Sequence, residues 1–563
     1  MKKWILILIL FISHSVWALA PGDTVYLEGE FRETLTASDS GSAGLPITYQ
    51  GYGTGAYILG SIDEDVANTW ECVNIPNNIW ATKDTFAHDV AEVWYNTDSV
   101  PTAAVKKQGM TLLLADGDFA YESTVGDRVL FRSDGATTGV NDPDVRFAGI
   151  EISYGRTTGS ESLMRESIVY LTKSDNITIK DLNIKYFPCH AIATSGTNEG
   201  ITITGNTIEY GGGRYFDETN TNTLRLGDGI VTWGSASDIL IENNTIKQVY
   251  DNGITVESGS SILNVSIADV TIDSNNVSYC TGGIAASVQA GTAGAMSGLR
   301  IQNNNISYTG AGWSGVGHAM DGQGIKLVNY NFTMGDNLVQ HNKISNTVTD
   351  GSGDTGDGIW WMGDGFKVNY NTLINIGRIG ISCDGISGNN VDGYMIGNII
   401  NTTGYRAVKI EDTDFMYVWN NTLYDPNYYG IVLYDTATNV DIRNNIIVND
   451  HSSNDSIYVV DGATNITSDY NDLYNAKGFE VTWNGTNYTT LAAYQAASGQ
   501  DSHSIAADPL FRNAAGGDFR LMNRQLWRGG TFIDGNYFDI KGKRIPRVRP
   551  SIGIYQFNHQ VFE

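Results

Sequence analysis

Apolar residues in this chain recur in short alternating runs, without the 3.6-residue spacing of a helix. The pattern I-x-x-N-x-I appears nine times, as ITGNTI, IENNTI, IDSNNV, IQNNNI, VQHNKI, VNYNTL, MIGNII, VWNNTL and IRNNII. Its shared asparagines are Asn206, Asn244, Asn275, Asn304, Asn342, Asn371, Asn398, Asn421 and Asn445. A variable period of this kind predicts a solenoid whose coils share strands and differ in their loops, with the asparagines stacked from coil to coil.

A second strand follows each asparagine segment, and most copies begin with Gly-Ile. The copies are DGIVTWGS, NGITVESG, GGIAASVQ, QGIKLVNY, DGIWWMGD, IGISCDGI, RAVKIEDT, YGIVLYDT and DSIYVVDG. Because alternate residues of a strand point to opposite faces, the Ile and the residue two positions later are assigned to the interior. In the last coils this inward set is Ile325/Leu327, Ile359/Trp361, Ile381/Cys383, Val408/Ile410 and Ile431/Leu433.

These two strand patterns resemble the right-handed parallel β-helix proteins found among extracellular carbohydrate-active enzymes and phage tailspikes. The resemblance covers residues 144–470. The stretch PGDTVYLEGEFRETLTASDSGSAGLPITYQGYG looks like the N-terminal cap of such enzymes, and GQDSHSIAADPLF, GDFRL and IGIYQF look like their tail segments. The resemblance implies an all-β fold, a right-handed parallel β-helix. It leaves the reaction open, because one fold hosts many functions.

The predicted organisation has five parts. Residues 1–20 read as a secretory signal peptide, because a cationic start precedes a short apolar run and small residues. Residues 21–60 form the cap and first strands, 144–470 the β-helix, and 471–563 its C-terminal end and tail. Residues 61–143 interrupt the coil pattern and predict either an inserted small β-sandwich or an irregular extension of the cap.

Composition narrows the classes of partner. The 563 residues include 64 Gly and 10 Pro and carry a formal net charge of −27. An acidic chain of this kind disfavours nucleic acid as a partner, and the apolar leader is too short to span a membrane. We expect a secreted or periplasmic monomer. Its four cysteines (Cys72, Cys189, Cys280 and Cys383) are widely spaced, and the last three are predicted to be buried free thiols.

Charged residues are concentrated in one predicted strand, RAVKIEDTD at residues 406–414. The alternation assigns Lys409 and Glu411 to the outer face, and Asp384 takes the same position as Glu411 on the preceding coil. Neighbouring coils stack about 4.8 Å apart, so the two carboxylates are expected to be adjacent, although like charges in that position repel. Five further residues are assigned to the same surface: Asp357, Trp360, Lys326, Arg406 and Glu257.

The carboxylate pair predicts a glycoside hydrolase acting on a polysaccharide or oligosaccharide. Two carboxyl groups about 5–5.5 Å apart are the arrangement of retaining glycosidases, with one protonated as general acid and the other ionised as nucleophile. Asp384 is the expected nucleophile, Glu411 the acid, and Lys409 the cation that keeps Asp384 ionised. The remaining five residues, with His318, are expected to bind substrate, Trp360 by stacking on a sugar ring.

Two alternatives stay open. A polysaccharide lyase needs a base and a positive charge to stabilise a uronate-derived anion, for which Lys326, Lys409, Arg406 and His318 are candidates. A non-catalytic glycan binder needs only aromatic residues spread along the surface. No cofactor or metal site is predicted: the loop GSGDTGDG at 351–358 offers oxygen ligands for Ca²⁺ but lacks the spacing of a calcium motif.

Two coils are unusually long, and their loops are expected to form the walls of the substrate site. The coils that follow Asn206 and Asn304 each span 38 residues. They carry Tyr215, Trp313 and His318.

Overall fold

The computed structural model describes most of the chain. The described residues are 5–6, 19–63, 69–86, 89–107, 109–134, 141–154, 167–172, 174–215, 225–258, 266–288, 295–310, 322–329, 335–349, 355–363, 365–385, 392–434, 436–450, 455–460, 462–534 and 538–556. The chain divides into two compact units. One comprises Met1–Gly259, Ser274–Ala285 and Ala311–Asp321, and the other Ser260–Asp273, Ala286–Gly310 and Gly322–Glu563.

In the second unit, parallel strands form three ladders, and each coil contributes one strand to each ladder. The first ladder contains Ile267–Asp273, Met296–Ser297, Arg300–Gln302, Asn337–Gln340, Phe366–Asn369, Asp392–Ile396, Phe415–Trp419, Val440–Arg443 and Thr467–Asp469. The second contains Asn305–Ser307, Lys343–Ser345, Thr372–Ile376, Ile399–Thr403, Thr422–Pro426, Ile446–Asn449 and Asp472–Asn475. The third contains Ile325–Asn329, Ile359–Met362, Ile379–Asp384, Arg406–Glu411, Tyr429–Tyr434, Ile457–Val459 and Val481–Trp483. The predicted right-handed parallel β-helix is therefore confirmed.

The first unit has the same three-ladder construction and begins with strands from the N-terminal segment. Its parallel strands are Thr24–Phe31, Leu35–Ala37, Ile47–Leu59, Val169–Thr172, Ile177–Lys180, Leu182–Lys185, Ile192–Glu199, Thr202–Thr204, Thr207–Gly211, Ile230–Glu242, Thr245–Val249, Asn252–Ser258 and Asn276–Ser278. A further strand is Gly282–Val288, and Arg214–Tyr215 pairs antiparallel with Arg225–Leu226.

The segment after residue 60 forms two small sheets. One contains Trp70–Asn74, Ile79–Thr82, Val105–Lys106, Asp118–Glu122 and Arg128–Arg132, and the other Ser61–Asp63, Val90–Tyr95, Thr102–Ala103 and Ile150–Tyr154. Both sheets contribute to one apolar core, in which Trp70 and Phe131 meet Val93 and Ile152. The sheets extend to Tyr154, past the residue 143 at which the sequence analysis ended this segment.

Asparagine side chains link successive coils, as the repeat predicts. In the second unit Asn304 Nδ2 donates to Asn342 Oδ1 at 3.0 Å, and the same bond recurs from each asparagine to the next. Each Nδ2 also donates to a backbone carbonyl of the preceding coil, as Asn371 does to Val339 O at 2.9 Å. In the first unit Asn206, Asn244 and Asn275 are joined in the same way. A tenth asparagine, Asn471, continues the row and donates to Asp501 Oδ1.

The predicted inward set fills the interior of the second unit. Every member from Ile325 to Leu433 is at most 1% exposed. The three cysteines predicted to be buried are buried free thiols, whereas Cys72 is exposed and free. The helices among the described residues are short: Pro143–Arg146 and Leu491–Ser498, with 3₁₀ turns at Ile75–Asn77, Met110–Leu112, Ser123–Val125, Ala514–Gly516 and Leu526–Arg528. The tail adds Thr486–Tyr488 and the hairpin Phe511–Asn513/Asp518–Leu521.

Candidate active site

The third ladder of the second unit brings the predicted acidic pair together. Asp384 and Glu411 are directly paired residues of adjacent parallel strands. One ammonium group lies between them: Lys409 Nζ is 2.9 Å from Asp384 Oδ1 and also contacts Glu411 Oε2. Because one nitrogen touches both oxygens, those oxygens are no more than about 5.5 Å apart, closer than the spacing of about 6.5–9.5 Å between the carboxyl groups of inverting glycosidases.

Asp384 is held by three donors from three successive coils. Besides Lys409, Ser382 Oγ donates to Asp384 Oδ1 at 3.1 Å, and Trp360 Nε1 donates to Asp384 Oδ2 at 2.6 Å. The side chain is 24% exposed, so solvent and ligands reach it. Hydrogen bonds from a cation, a hydroxyl and an indole therefore fix the positions of both carboxylate oxygens. Glu411, by contrast, contacts Lys409 alone among the side chains that the structure describes.

Lys409 supplies the local positive charge. Its partial burial lowers the pKa of the ammonium group, but the charges of Asp384 and Glu411 and their hydrogen bonds outweigh burial, so that the pKa is raised. Lys409 is therefore cationic at neutral pH and balances one of the two carboxylates. This arrangement removes much of the like-charge repulsion that the sequence alone suggested.

The indole of Trp360 also contacts Lys326. Lys326 Nζ lies 5.9 Å from the centroid of the Trp360 ring, and the two residues are paired on adjacent strands. Both predicted substrate-binding residues therefore lie on the outer face, next to Asp384 on the N-terminal side of the acidic pair.

The prediction that Asp357 lies on the outer face is wrong. Its position is two before the inward Ile359, so by strict alternation it has the same parity as Ile359 and faces inward. The side chain is 1% exposed, accepts the backbone N–H of Ile379 at 3.1 Å and lies 3.4 Å from Arg378 Nη1. Burial raises the pKa of Asp357 to about 7; the charge of Arg378 and the Ile379 N–H oppose the rise, and the charge of Asp384 adds to it.

Arg406 is also buried, contrary to the prediction that it flanks the carboxylates on the surface. It shares parity with Val408 and Ile410 and is 8% exposed. Its Nη2 donates to the hydroxyl of Tyr405 at 2.6 Å and to the hydroxyl of Tyr434. The guanidinium carbon lies 3.9 Å from the Tyr405 ring centroid and 4.8 Å from that of Tyr434. The guanidinium group of Arg406 therefore holds the side chains of Tyr405 and Tyr434 in place.

The remaining predicted residues belong to the first unit or lie outside the described residues. Glu257 is in the first unit, where it pairs with Trp233 and is partly buried. His318 and Trp313 lie outside the described residues, as does the first half of the loop 351–358. In the described part of the chain, no group of three or more His, Cys, Asp or Glu side chains is arranged to hold a metal ion. None of the described helices has the length and apolar character that crossing a membrane requires.

Sequence reasoning overlooked a group of tyrosines on the C-terminal side of the pair. The tyrosine cluster comprises Tyr405, Tyr428, Tyr429 and Tyr458, whose ring centroids lie 4.9–6.5 Å from their neighbours. Tyr434 joins it through Arg406 and is directly paired with Glu411. Part of the signal was present in the sequence, since Tyr405 and Tyr428 occupy matching positions on consecutive coils, each just before its strand.

Comparison with known families decides the architecture. A family model described as the right handed beta helix region matches residues 148–344 and 228–447, which together cover more than half of the 563 residues. The chain belongs to the right-handed β-helix family. A search of curated protein sequences finds no significant match.

Solved structures similar to this β-helix protein are distant in sequence. XylC, determined in complex with xylose, is 13% identical, with 96% of this chain and 94% of XylC covered and a TM-score of 0.55. The periplasmic alginate epimerase AlgG is 12% identical over 53% of this chain and 69% of its own, with a TM-score of 0.35. The family 28 exopolygalacturonase of Yersinia enterocolitica is 10% identical over 79% and 73%, with a TM-score of 0.32. At these identities the likeness establishes the fold alone.

Proposed function

We propose that this protein is a secreted glycoside hydrolase that acts with retention of anomeric configuration. The observation that carries the proposal is the directly paired Asp384 and Glu411 with Lys409 between them. Their carboxyl spacing fits a mechanism in which one carboxylate attacks the sugar and no room is needed for an intervening water. The apolar leader at residues 1–20 supports export.

In this mechanism Asp384 is the nucleophile. The oxygen of its carboxylate bonds to the anomeric carbon as the glycosidic bond breaks, and Glu411 gives its proton to the leaving oxygen. Glu411, now ionised, takes a proton from water; the water oxygen bonds to the anomeric carbon and the ester to Asp384 breaks. The three donors hold the carboxylate of Asp384 in a fixed position, whereas Glu411 has fewer partners and a longer side chain to reach the leaving oxygen.

Lys409 is a positioning residue in this scheme. It is shared by both carboxylates, so it can follow the negative charge as that charge moves from Asp384 to Glu411 during the first step. A lyase mechanism is less compatible with these contacts. Lys409 is engaged by both carboxylates and Arg406 by two tyrosine hydroxyls, so neither is placed as a base for removing a proton from a uronate.

The substrate class we propose is a neutral polysaccharide or oligosaccharide. The net charge of −27 disfavours a polyanionic glycan. Xylose is a sensible first sugar to test, since XylC was solved with it. The substrate screen below is designed to identify the sugar, and the lengths of the products distinguish internal from terminal cleavage.

The test is a substrate screen with the purified protein on xylan, arabinan, galactan and xyloglucan, and on alginate and polygalacturonate. New reducing ends without unsaturated products are expected on a neutral glycan. The Asp384→Asn and Glu411→Gln variants should each lose at least about a thousandfold in kcat while keeping the wild-type melting temperature. Unsaturated products, or an Asp384→Asn variant with full activity, would overturn the assignment.

A further inference from the structure

The tyrosine cluster occupies a defined side of the acidic pair. Along the third ladder, the strand with Trp360 precedes the one with Asp384, which precedes the one with Glu411. The following strand places Tyr434 directly beside Glu411, and the next places Tyr458 in the row that contains Lys409. The outer face therefore carries Trp360 and Lys326 before the pair and tyrosines after it.

In the proposed mechanism, Asp384 and Glu411 contact different parts of the substrate along the third ladder. The nucleophile contacts the sugar whose anomeric carbon reacts, and the acid contacts the oxygen that leaves with the rest of the substrate. If the substrate lies along the ladder, the reacting sugar lies toward Trp360 and Lys326. The departing part then lies beyond Glu411, over Tyr434 and the tyrosine cluster.

We infer that the tyrosine cluster is the binding subsite for the leaving-group sugars, that is, for the part of the chain on the reducing-end side of the cleaved bond. This inference rests on the proposed function and adds the direction of the substrate. It identifies the ligand as a pyranose or furanose ring with an apolar C–H face, since such a face packs against aromatic rings while the sugar hydroxyls remain solvated.

The cluster is built to present fixed rings. Tyr428 is 46% exposed and packs edge-on against Tyr405 with centroids 5.1 Å apart, while Tyr429 and Tyr458 are 4.9 Å apart. One guanidinium nitrogen of the buried Arg406, Nη2, donates to the hydroxyls of both Tyr405 and Tyr434. Rings already held in place lose little conformational entropy when a sugar binds.

The experiment compares two substrates that differ in the leaving group. A glycosyl fluoride places no sugar on the leaving side, whereas an oligosaccharide does. The first pair to test is β-xylosyl fluoride and xylotriose. If the screen identifies another sugar, the fluoride and the oligosaccharide of that sugar replace them. For Tyr458→Ala and Tyr428→Ala, kcat/KM for the oligosaccharide should fall about tenfold relative to kcat/KM for the fluoride. Tyr394→Ala is the matched control, because Tyr394 stacks on Tyr417 at 4.9 Å in the first ladder.

A second measurement does not depend on how much of a variant is folded. With the fluoride as donor, Asp384 displaces fluoride and forms the glycosyl ester, and the proton of Glu411 leaves with the fluoride. An added acceptor sugar then competes with water: its hydroxyl oxygen bonds to the anomeric carbon, Glu411 takes the hydroxyl proton and the ester breaks. The ratio of transfer to hydrolysis should fall about tenfold in the tyrosine variants and stay unchanged in Tyr394→Ala.

The inference is overturned if the transfer ratio of the tyrosine variants equals that of the wild type, or if both substrates lose activity equally. This outcome is distinguishable from a failure of the proposed function. If the proposed function itself fails, Asp384→Asn retains activity, or the wild-type protein catalyses no glycosyl transfer.

Discussion

Trp360 donates its indole N–H to Asp384 Oδ2 at 2.6 Å, across adjacent coils of the third ladder. An uncharged donor therefore fixes the oxygen of the proposed nucleophile that Lys409 does not contact. Because Trp360 is held both by this bond and by Lys326, it orients Asp384 from the side opposite to Glu411.

Replacing Trp360 by Phe should slow the reaction without unfolding the protein. A hydrogen bond to a charged group contributes about 1.5–3 kcal/mol, so kcat should fall by roughly ten- to a hundredfold. The matched control is Trp419→Phe, which removes an indole bond of 3.2 Å to Asp441 in the first ladder. Steady-state kinetics on the identified substrate provide the measurement. Equal losses in the two variants would indicate that Trp360 acts through general stability.

The roles of the two carboxylates can be separated by rescue with azide. In Asp384→Ala, azide is expected to replace the missing nucleophile and to give a glycosyl azide of inverted configuration. In Glu411→Ala, azide should attack the glycosyl-enzyme and give a product of retained configuration. The anomeric configuration of the azide product, read by proton NMR, decides the assignment. Exchanged configurations would mean that Glu411 is the nucleophile.

The buried Asp357 predicts a pH-dependent stability. Its pKa is raised from 3.8 to about 7, so the folded protein holds a proton on Asp357 that the unfolded chain releases at lower pH. Its contribution to the free energy of unfolding is therefore greatest below pH 4, falls as the pH rises toward 7 and is constant above. Asp357→Asn keeps the shape and lacks this titration. The melting temperature of the wild type relative to the variant should fall between pH 4 and 7, as measured by differential scanning fluorimetry. A constant difference would contradict the assignment.

The asparagine row should contribute strongly to stability at each position. Asn371 accepts from Asn342 and donates to Asn398 and to the Val339 carbonyl, all buried. Asn371→Ala leaves these groups without partners and should cost about 2–5 kcal/mol in the free energy of unfolding. Asn487→Ala, which removes an exposed bond to Glu480, should cost well under 1 kcal/mol. Denaturant titration of both variants makes the comparison. Similar midpoints would show that the row contributes little.

The repeats were sufficient to predict a solenoid, because Asn and inward Ile positions are set by the geometry of one coil and recur in every coil. The resemblance to β-helix proteins added the right-handed parallel architecture. The repeats did not predict the helix Leu491–Ser498 or the end of the two small sheets, since neither region repeats. Asp384, Glu411 and Lys409 were found by alternation within a strand and stacking between strands. Their catalytic roles stay predictions.

The errors and omissions at the site have a common origin in the ends of strands. Asp357 precedes its strand and Arg406 begins one, and both were placed on the surface although they share parity with inward residues. The tyrosine cluster includes Tyr405 and Tyr428, which lie in the turns before two strands. Turn residues contact each other across coils, and the period-2 pattern of a single strand carries no information about those contacts.

The asparagine row has a direction. From Asn304 to Asn445, every side-chain amide of the row donates an N–H to the oxygen of the asparagine on the following coil, so each coil offers the same acceptor to the coil before it and the same donor to the coil after it. Only the final donor, on Asn471, meets a different group, the carboxylate of Asp501. A coil is therefore an interchangeable module as far as these bonds are concerned. Whole coils could be gained or lost during evolution, lengthening or shortening the protein, while the terminal carboxylate and its neighbours stayed as they are.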